Sequence, residues 1–559
     1  MQPRFDEPVT VAELLAARAA DGHLGLCFED RQWAWRDVVE ASAARASWLR
    51  SLGGAGPAHI GVLLGNVPEY LFWLGATALA GAVAVGINPT RRGEALAGDI
   101  RRTDCRVMVT DADGAAMLDG LDLGVAEGVL RVDEPEFAER LAPHAGAGTG
   151  PVPGVPAPTA GDLFLLLFTS GTTGSPKAVR CSQGRLASIA KYAADAYGFT
   201  RDDVAYCTMP LFHGNALMVL WGPSLVVGAT VTLSRRFSAS GFLPDVRRYR
   251  ATTFTYVGKA LAYILATPPG DDDHAVSLRR GFGTEASVAD RAEFERRFGC
   301  VLTEGYGSSE GGVAISRTPG TPPGSLGRPP EGVAIVDPES LEECPAAEFD
   351  GSGRLCNGAE AIGEIVNRSG IGSFEGYYGD ASATAARTRN GWYWTGDLAY
   401  RDADGYYYFA GRGGDWMRVD SENLTAGPIE RVLVRHPAVA AAAVYPVPDP
   451  RSGDQVMAAL ELLPGRSFDA DGFAGFLADQ PDLGTKWVPA FLRITAALPQ
   501  TASGKVTKGP LRGEGWWTGP DPVLRRLGAS LSFVPMEQHH RDELRAEFGR
   551  HGRQGLVGA

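Results

Sequence analysis

One stretch of the chain combines residue types that suit a polyanion. Residues 164–168 are an unbroken apolar run. The nine residues after it supply hydroxyls from Thr169, Ser170, Thr172, Thr173 and Ser175, glycines at Gly171 and Gly174, then Pro176 and Lys177. The run reads as a strand buried on both faces. The two glycines let backbone N–H groups turn toward an anion, while the hydroxyls and the lysine add donors and charge. These residues predict a loop that holds phosphates at the end of a buried strand. A Walker A loop is excluded, because it ends Gly-Lys-[Ser/Thr] and here Pro176 precedes Lys177 and Ala178 follows it.

Four further clusters could share one ligand with that loop. Glu304, Gly305, Tyr306, Gly307, Ser308, Ser309 and Glu310 offer an aromatic face for a planar ring, glycines for close approach and a hard carboxylate oxygen for Mg2+. Trp394-Thr-Gly-Asp397 places an acid after a predicted tight turn, suited to the two hydroxyls of a ribose. Gly411-Arg412 adds a permanent cation. A loop from Pro499 to Lys505 presents one lysine. Taken singly, Asp397 is explained as a turn former, Glu310 as a helix cap and Lys505 as a solvated charge. His539 and His540 lie in a polar stretch and read as a solvated pair, not a metal site.

The elements that must position these clusters alternate. A helix, a short β-turn-β over 25–35 and a second helix occupy 11–53. Strands follow over 60–64, 82–87, 107–110 and 128–132, with helices between them. A Gly/Pro/Ala/Thr-rich connection at 142–161 precedes the phosphate loop. Beyond it the alternation resumes, with helices at 186–197, 241–249, 261–266 and 288–298 and strands at 203–208, 229–233, 252–257 and 280–283. Such alternation predicts a mainly parallel sheet with ligands at the strand C-termini. From about 320, short strands at 363–366, 391–394, 398–400 and 405–409 predict an antiparallel subdomain. A small α+β unit then comprises helices at 429–435 and 471–478 and strands at 439–447, 455–463 and 491–495.

With 559 residues the chain is too long for one core. The net charge of −13, from 53 basic and 66 acidic residues, argues against a nucleic-acid or anionic-membrane partner for the surface as a whole. Seven dispersed cysteines without a Cys-x-x-Cys pair suggest neither a disulfide framework nor a zinc cluster, and fit a reducing cytoplasm. The charged first ten residues lack the apolar core of a signal peptide. Residues 71–87 carry no charge, but their small residues and the break at Gly81 predict a buried helix followed by a strand, not a membrane span.

In order and spacing, these motifs resemble the acyl- and aryl-CoA synthetase, adenylation-domain and luciferase superfamily of adenylate-forming enzymes, over about residues 10–512. The resemblance implies an α/β fold: a large N-terminal domain (1–411) of parallel-rich sheets with helices and a small antiparallel subdomain, and a small mobile α+β C-terminal domain (412–559) with a polar tail from about 513. It implies two steps, in which a carboxylate attacks the α-phosphate of ATP to give acyl-adenylate and pyrophosphate, and a thiol, normally coenzyme A, then takes the acyl group.

The implied roles are as follows. Thr169, Ser170, Gly171, Thr172, Thr173, Gly174 and Lys177 hold the β- and γ-phosphates, and Glu310 with the Thr172 hydroxyl holds Mg2+. The segment of Glu304, Gly305, Tyr306, Gly307 and Ser309 contacts the nucleotide, with Tyr306 stacked on adenine; Asp397 takes the ribose hydroxyls and Arg412 reaches phosphate or ribose. Lys505 bridges the carboxylate and the α-phosphate, and His213 gates the acyl pocket. In the family the small domain swings between the steps, withdrawing this lysine.

The chain departs from the family pattern at three places. Ser309 stands for the usual threonine and keeps its hydroxyl. Gly414 stands at the hinge, which is commonly an acid or a lysine. Ser421 replaces a glycine of the loop that resembles the thiol tunnel wall. The stretch from Gly411 to Asn423, and Asp521-Pro-Val523, look like the fatty-acid-transport and very-long-chain synthetase branch. Gly214, Gly258 and Gly283, with few cations nearby beyond Lys259 and Arg279, point to a bulky apolar monocarboxylic acid: long-chain fatty, steroidal or terpenoid. The rival expectations are an enzyme that loads a carrier protein and a non-catalytic nucleotide-binding relative. A homodimer is left open.

Overall fold

The apolar run folds as the strand Leu163–Thr169, in which the side chains from Phe164 to Leu167 are at most 1 % exposed. Each such side chain stabilises the fold by ~1.5–3 kcal/mol relative to exposure. That burial on both faces is the reason an unbroken apolar run, without alternation, makes a strand here. The structure is a computed structural model that describes residues 10–54, 56–150, 156–169, 176–351, 355–412, 416–419, 422–451, 453–484, 486–501, 505–528 and 531–557.

In chain order the strands of the first two sheets are β1 (Leu24–Phe28), β2 (Arg31–Ala34), β3 (His59–Leu63), β4 (Val83–Gly86), β5 (Cys105–Thr110), β6 (Val129–Arg131), β7 (Leu163–Thr169), β8 (Lys177–Ser182), β9 (Val204–Cys207), β10 (Thr230–Leu233), β11 (Thr253–Val257), β12 (Arg280–Thr284), β13 (Val301–Gly307) and β14 (Ala314–Ser316). One sheet runs β6-β5-β3-β4-β7-β8 and the other β14-β13-β12-β11-β9-β10-β1-β2. Both are parallel except at their edges, where β8, β2 and β14 pair antiparallel. The uncharged stretch at 71–87 is the buried helix Pro68–Ala80, ended by Gly81 in the left-handed conformation (φ 66°), and then β4. Among the described residues no helix is long and apolar enough to cross a membrane.

An antiparallel sheet follows, of β15 (Val333–Val336), β16 (Gly363–Asn367), β17 (Tyr393–Arg401) and β18 (Tyr407–Arg412) in that order. The C-terminal unit holds the hairpin β19 (Trp416–Val419) and β20 (Glu422–Thr425), and a five-stranded sheet of β21 (Val439–Pro448), β22 (Asp454–Leu462), β23 (Phe491–Thr495), β24 (Val523–Arg526) and β25 (Phe533–Pro535). The expected hinge at Gly414 and the departure at Ser421 lie outside the described residues.

Three expectations are corrected. The strands expected at 391–394 and 398–400 are one strand, β17, so Asp397 lies within a strand and not after a turn. Against β16, Glu364 pairs with Leu398 and Val366 with Trp394, so the register shifts across Thr395-Gly-Asp397, and with the left-handed Gly396 (φ 73°) this carries the strand through Thr-Gly-Asp as a bulge. Glu304 to Gly307, expected in a loop at a strand end, is the end of β13 itself and pairs with β14, Tyr306 opposite Ile315. The polar tail from about 513 is folded: β24 and β25 extend the sheet, and the helix Gln538–Arg550 buries Phe548 beside Trp516 and Met536. Single apolar residues spaced among charges hid that face.

Candidate active site

The two ends of the expected phosphate loop are fixed by the β7–β8 hairpin, in which Thr169 pairs with Lys177. Between them Ser170, Gly171, Thr172, Thr173 and Gly174 lie outside the described residues. Thr169 Oγ1 donates to Glu310 Oε1 at 3.2 Å, and Tyr377 OH donates to the same oxygen at 3.0 Å. Lys177 Nζ stands 5.3 Å from the Tyr377 ring centre. Burial, reinforced by the Glu310 charge, pushes the Tyr377 phenol well above its ordinary pKa, so it remains a donor at neutral pH. Tyr377 was not singled out in the sequence; its place two residues after the acid Glu375 in a Gly-Tyr-Tyr run gave no chemical cue.

Glu310 is held from behind. Arg185 Nη2 donates to the Ser309 carbonyl at 2.6 Å, and Gly311 (φ 72°) passes so close to Ser373 that a Cβ would lie 2.4 Å from its Oγ. The turn therefore needs glycine on both conformational and steric grounds. Among the described residues no group of three or more His, Cys, Asp or Glu could hold a metal. Mg2+ bound with nucleotide phosphates needs only one or two protein carboxylates, which the buried Glu310 fits.

At the other end Asp397 pairs in register with Arg412 across β17 and β18. Tyr306 OH donates to Asp397 Oδ2 at 2.8 Å, and Arg412 Nε lies 3.4 Å from Oδ1. Burial raises the Asp397 pKa, although Arg412 and Tyr306 both favour the charged form. Two carboxylate oxygens beside a phenol ring and a guanidinium suit a diol attached to a planar base.

Lys505 reaches the large unit from the C-terminal one. Its loop is closed by the Gln500–Val506 bridge and by Thr501 N–H donating to the Lys505 carbonyl at 2.7 Å. Lys505 Nζ meets Glu285 Oε1 at 2.8 Å. Its surroundings disfavour the charged Glu285 carboxylate, but Lys505 and then Arg412 outweigh them and hold its pKa below the usual value. The ammonium also acts on His213, where burial first and Lys505 second push the imidazole pKa down to about 4. His213 is neutral at pH 7. Its Nε2, and Asn215 Oδ1 two residues on, are buried without a hydrogen-bond partner, and a π-helical turn, Leu217–Trp221, follows.

Several expected residues are engaged within the protein itself. The Glu304 carboxylate accepts from Ala286 N–H at 2.9 Å and pairs with Arg317 at 3.2 Å, so it braces residues 285–286. At Gly258 and Gly283 the space that a Cβ would take is already occupied. A Cβ on Gly258 would lie 2.0 Å from the Glu285 carbonyl oxygen, and one on Gly283 would lie 2.4 Å from the Tyr256 ring. Gly214 also packs closely, 3.1 Å from Ser309 Oγ on the same measure. Lys259 is paired with Glu461 and Arg279 with Asp203, which removes both cations considered for an anionic acyl group. A cavity of about 270 Å³ at the ends of β3 and β5, lined by Leu64, Asn66, Asp111, Met117 and Arg235 among others, shares no residue with this set.

A fold of two parallel-rich sheets, an antiparallel sheet and a C-terminal α+β unit, with these clusters brought together, defines an adenylate-forming protein. The chain belongs to the AMP-binding enzyme family: residues 15–378 match that family and residues 428–505 match the AMP-binding enzyme C-terminal domain. It is 54 % identical over 554 residues to a steroid-22-oyl-CoA synthetase of Rhodococcus jostii (strain RHA1), covering 99 % of each chain. It is 48 % identical over 515 residues to a medium/long-chain-fatty-acid–CoA ligase of Mycobacterium marinum, covering 92 % of this chain and 98 % of that one. Among solved structures it resembles O-succinylbenzoate coenzyme A synthetase from Bacillus subtilis in complex with AMP, with a TM-score of 0.71, 25 % identity, and 92 % and 99 % of the two chains covered.

Proposed function

We propose that this protein is an ATP-dependent acyl-CoA synthetase for a bulky apolar carboxylic acid, with a steroid-22-oic acid the leading substrate and long-chain fatty acids the second. Supporting the substrate class are the two relatives that share about half their residues with the chain over nearly all its length, and the absence of a free cation among Lys259 and Arg279. The observation that carries the chemistry is Lys505 from the C-terminal unit, standing 2.8 Å from Glu285 and acting electrostatically on Asp397 and His213.

In the first step a carboxylate oxygen forms a bond to the α-phosphorus of ATP and the bond to the bridging oxygen breaks, releasing pyrophosphate. Two anions must approach, so alignment and positive charge supply most of the acceleration. Lys505 places its ammonium between them. Thr169 to Gly174 and Lys177 hold the leaving phosphates, Tyr306 carries the base, and Asp397 with Arg412 fixes the ribose. Glu310 and the Thr172 hydroxyl would hold Mg2+, which would supply charge neutralisation at the phosphates. Neutral His213 borders the acyl group without adding charge.

In the second step the coenzyme A sulfur attacks the acyl carbon, the bond to the adenylate oxygen breaks, AMP leaves and the thiol proton passes to solvent. We place the domain boundary at 411/412 and the hinge at Gly414. A cytoplasmic location accords with seven cysteines of which none is in a disulfide.

Acid-dependent exchange of labelled pyrophosphate into ATP, screened over steroid, fatty and aromatic acids, tests the first step. Coenzyme A set against a carrier protein as acceptor tests the second. Exchange confined to small aromatic acids would reject the substrate class.

A further inference from the structure

Glu461, in β22, has no exposed surface, yet its carboxylate reaches across to the large unit. Lys259 Nζ lies 2.6 Å from its Oε2 and Tyr263 OH donates to its Oε1. Leu498 N–H donates to Oε2 at 2.7 Å. Lys259 and Tyr263 stand one turn apart on the helix Gly258–Leu265, directly after β11. Leu498 lies two residues before the bridge at Gln500 that closes the Lys505 loop. A carboxylate buried this deeply must keep its donors, so three donors from two units fix its position and, through Leu498, the start of the loop.

A second path joins the same elements. Gly258, the first residue of that helix, lies against the Glu285 backbone so closely that a Cβ would be 2.0 Å from its carbonyl oxygen. Glu285 is itself held in the left-handed region (φ 67°), uncommon for a residue with a side chain, and its carboxylate meets Lys505. The contacts close a ring from Lys259 through Glu461 and Leu498 to Lys505, then through Glu285 back to Gly258. With Lys259 10 % exposed and Glu461 fully buried, this is not a solvated surface pair of negligible effect.

We propose that Glu461, gripped by Lys259 and Tyr263, is a positioning residue that docks the Lys505 loop for adenylate formation and contributes nothing to thiol transfer. The inference rests on the two-step reading above. It assigns to the helix beside the acyl site a task in registering the lysine, because a displacement of about 1 Å in an aligned group can cost about a hundred-fold in rate.

The test uses the full chain, with palmitic acid and a steroid-22-oic acid as probes. Lys259→Gln and Tyr263→Phe alter only the large unit's side of the contact, and Lys259→Gln combined with Glu461→Gln removes both charges while leaving an acceptor for Leu498 N–H. Pyrophosphate exchange should fall about ten-fold or more in kcat in Lys259→Gln, with the KM for ATP within about three-fold. Thioester formation from supplied acyl-adenylate and coenzyme A should stay within about two-fold of wild type, and Lys259→Arg should recover most of the exchange. Equal loss in both half-reactions would mark the cluster as a structural staple and overturn the proposal, as would no loss in either. Wild-type protein inert in exchange with both acids would defeat the two-step reading itself, and the inference with it.

Discussion

Lys505 Nζ lies 2.8 Å from Glu285 Oε1, an ion pair between the C-terminal unit and the loop after β12 of the large unit. The pair keeps a positive charge in the cleft near Asp397 and His213. In the proposed chemistry the negative charge that builds on the α-phosphate competes with Glu285 for that ammonium.

Replacing Lys505 separates the two half-reactions. In Lys505→Ala, adenylate formation should fall by at least about a hundred-fold, the usual loss on deleting a group that stabilises transition-state charge. Thioester formation from supplied acyl-adenylate should be largely spared. Single-turnover assays of each half-reaction check this, and an unchanged first step would remove Lys505 from the chemistry.

His213 has a pH signature. Its folded pKa of about 4 lies below the ordinary histidine value of 6.5, so between those values the unfolded chain binds the proton and the folded chain does not. Stability associated with the neutral imidazole is complete above pH 6.5 and is lost as pH falls toward 4. His213→Asn should therefore flatten the acid side of the thermal-midpoint profile, by at most about 3 kcal/mol at pH 4. Parallel profiles for variant and wild type over that range would contradict the buried neutral imidazole.

Gly258 distinguishes empty acyl volume from backbone contact. If the glycine spared room for the acyl chain, Gly258→Ala would shift preference toward shorter acids and leave stability alone. The 2.0 Å approach to the Glu285 carbonyl oxygen predicts instead a loss of about 1–3 kcal/mol from overpacking, with slower adenylation for every acid because Glu285 is displaced. Chemical denaturation and an acid series together decide between them.

The two main sheets were legible because alternation of apolar runs and helical patterns is a local signal. The strand at 253–257, for example, is buried along its whole length and ends cleanly at Gly258. Asp397, Glu310 and Lys505 could be picked out as candidates from motif order. What local pattern could not reveal was pairing. Gly305 and Gly307 look like loop residues until β14 lies beside them, and nothing local shows that Ala286 and Arg317 engage the Glu304 carboxylate. Tyr377 and Glu461 are set in the site and at the unit contact by partners 67 and 202 residues away. No sequence window of ordinary length contains both members of either pair.

The most direct measurement of the central claim is acid-dependent exchange of labelled pyrophosphate into ATP by the wild-type chain with a steroid-22-oic acid. The account predicts exchange that requires the acid and Mg2+, exceeds that with a small aromatic acid, and disappears in Lys505→Ala. Exchange independent of the acid, or undiminished in Lys505→Ala, would contradict it.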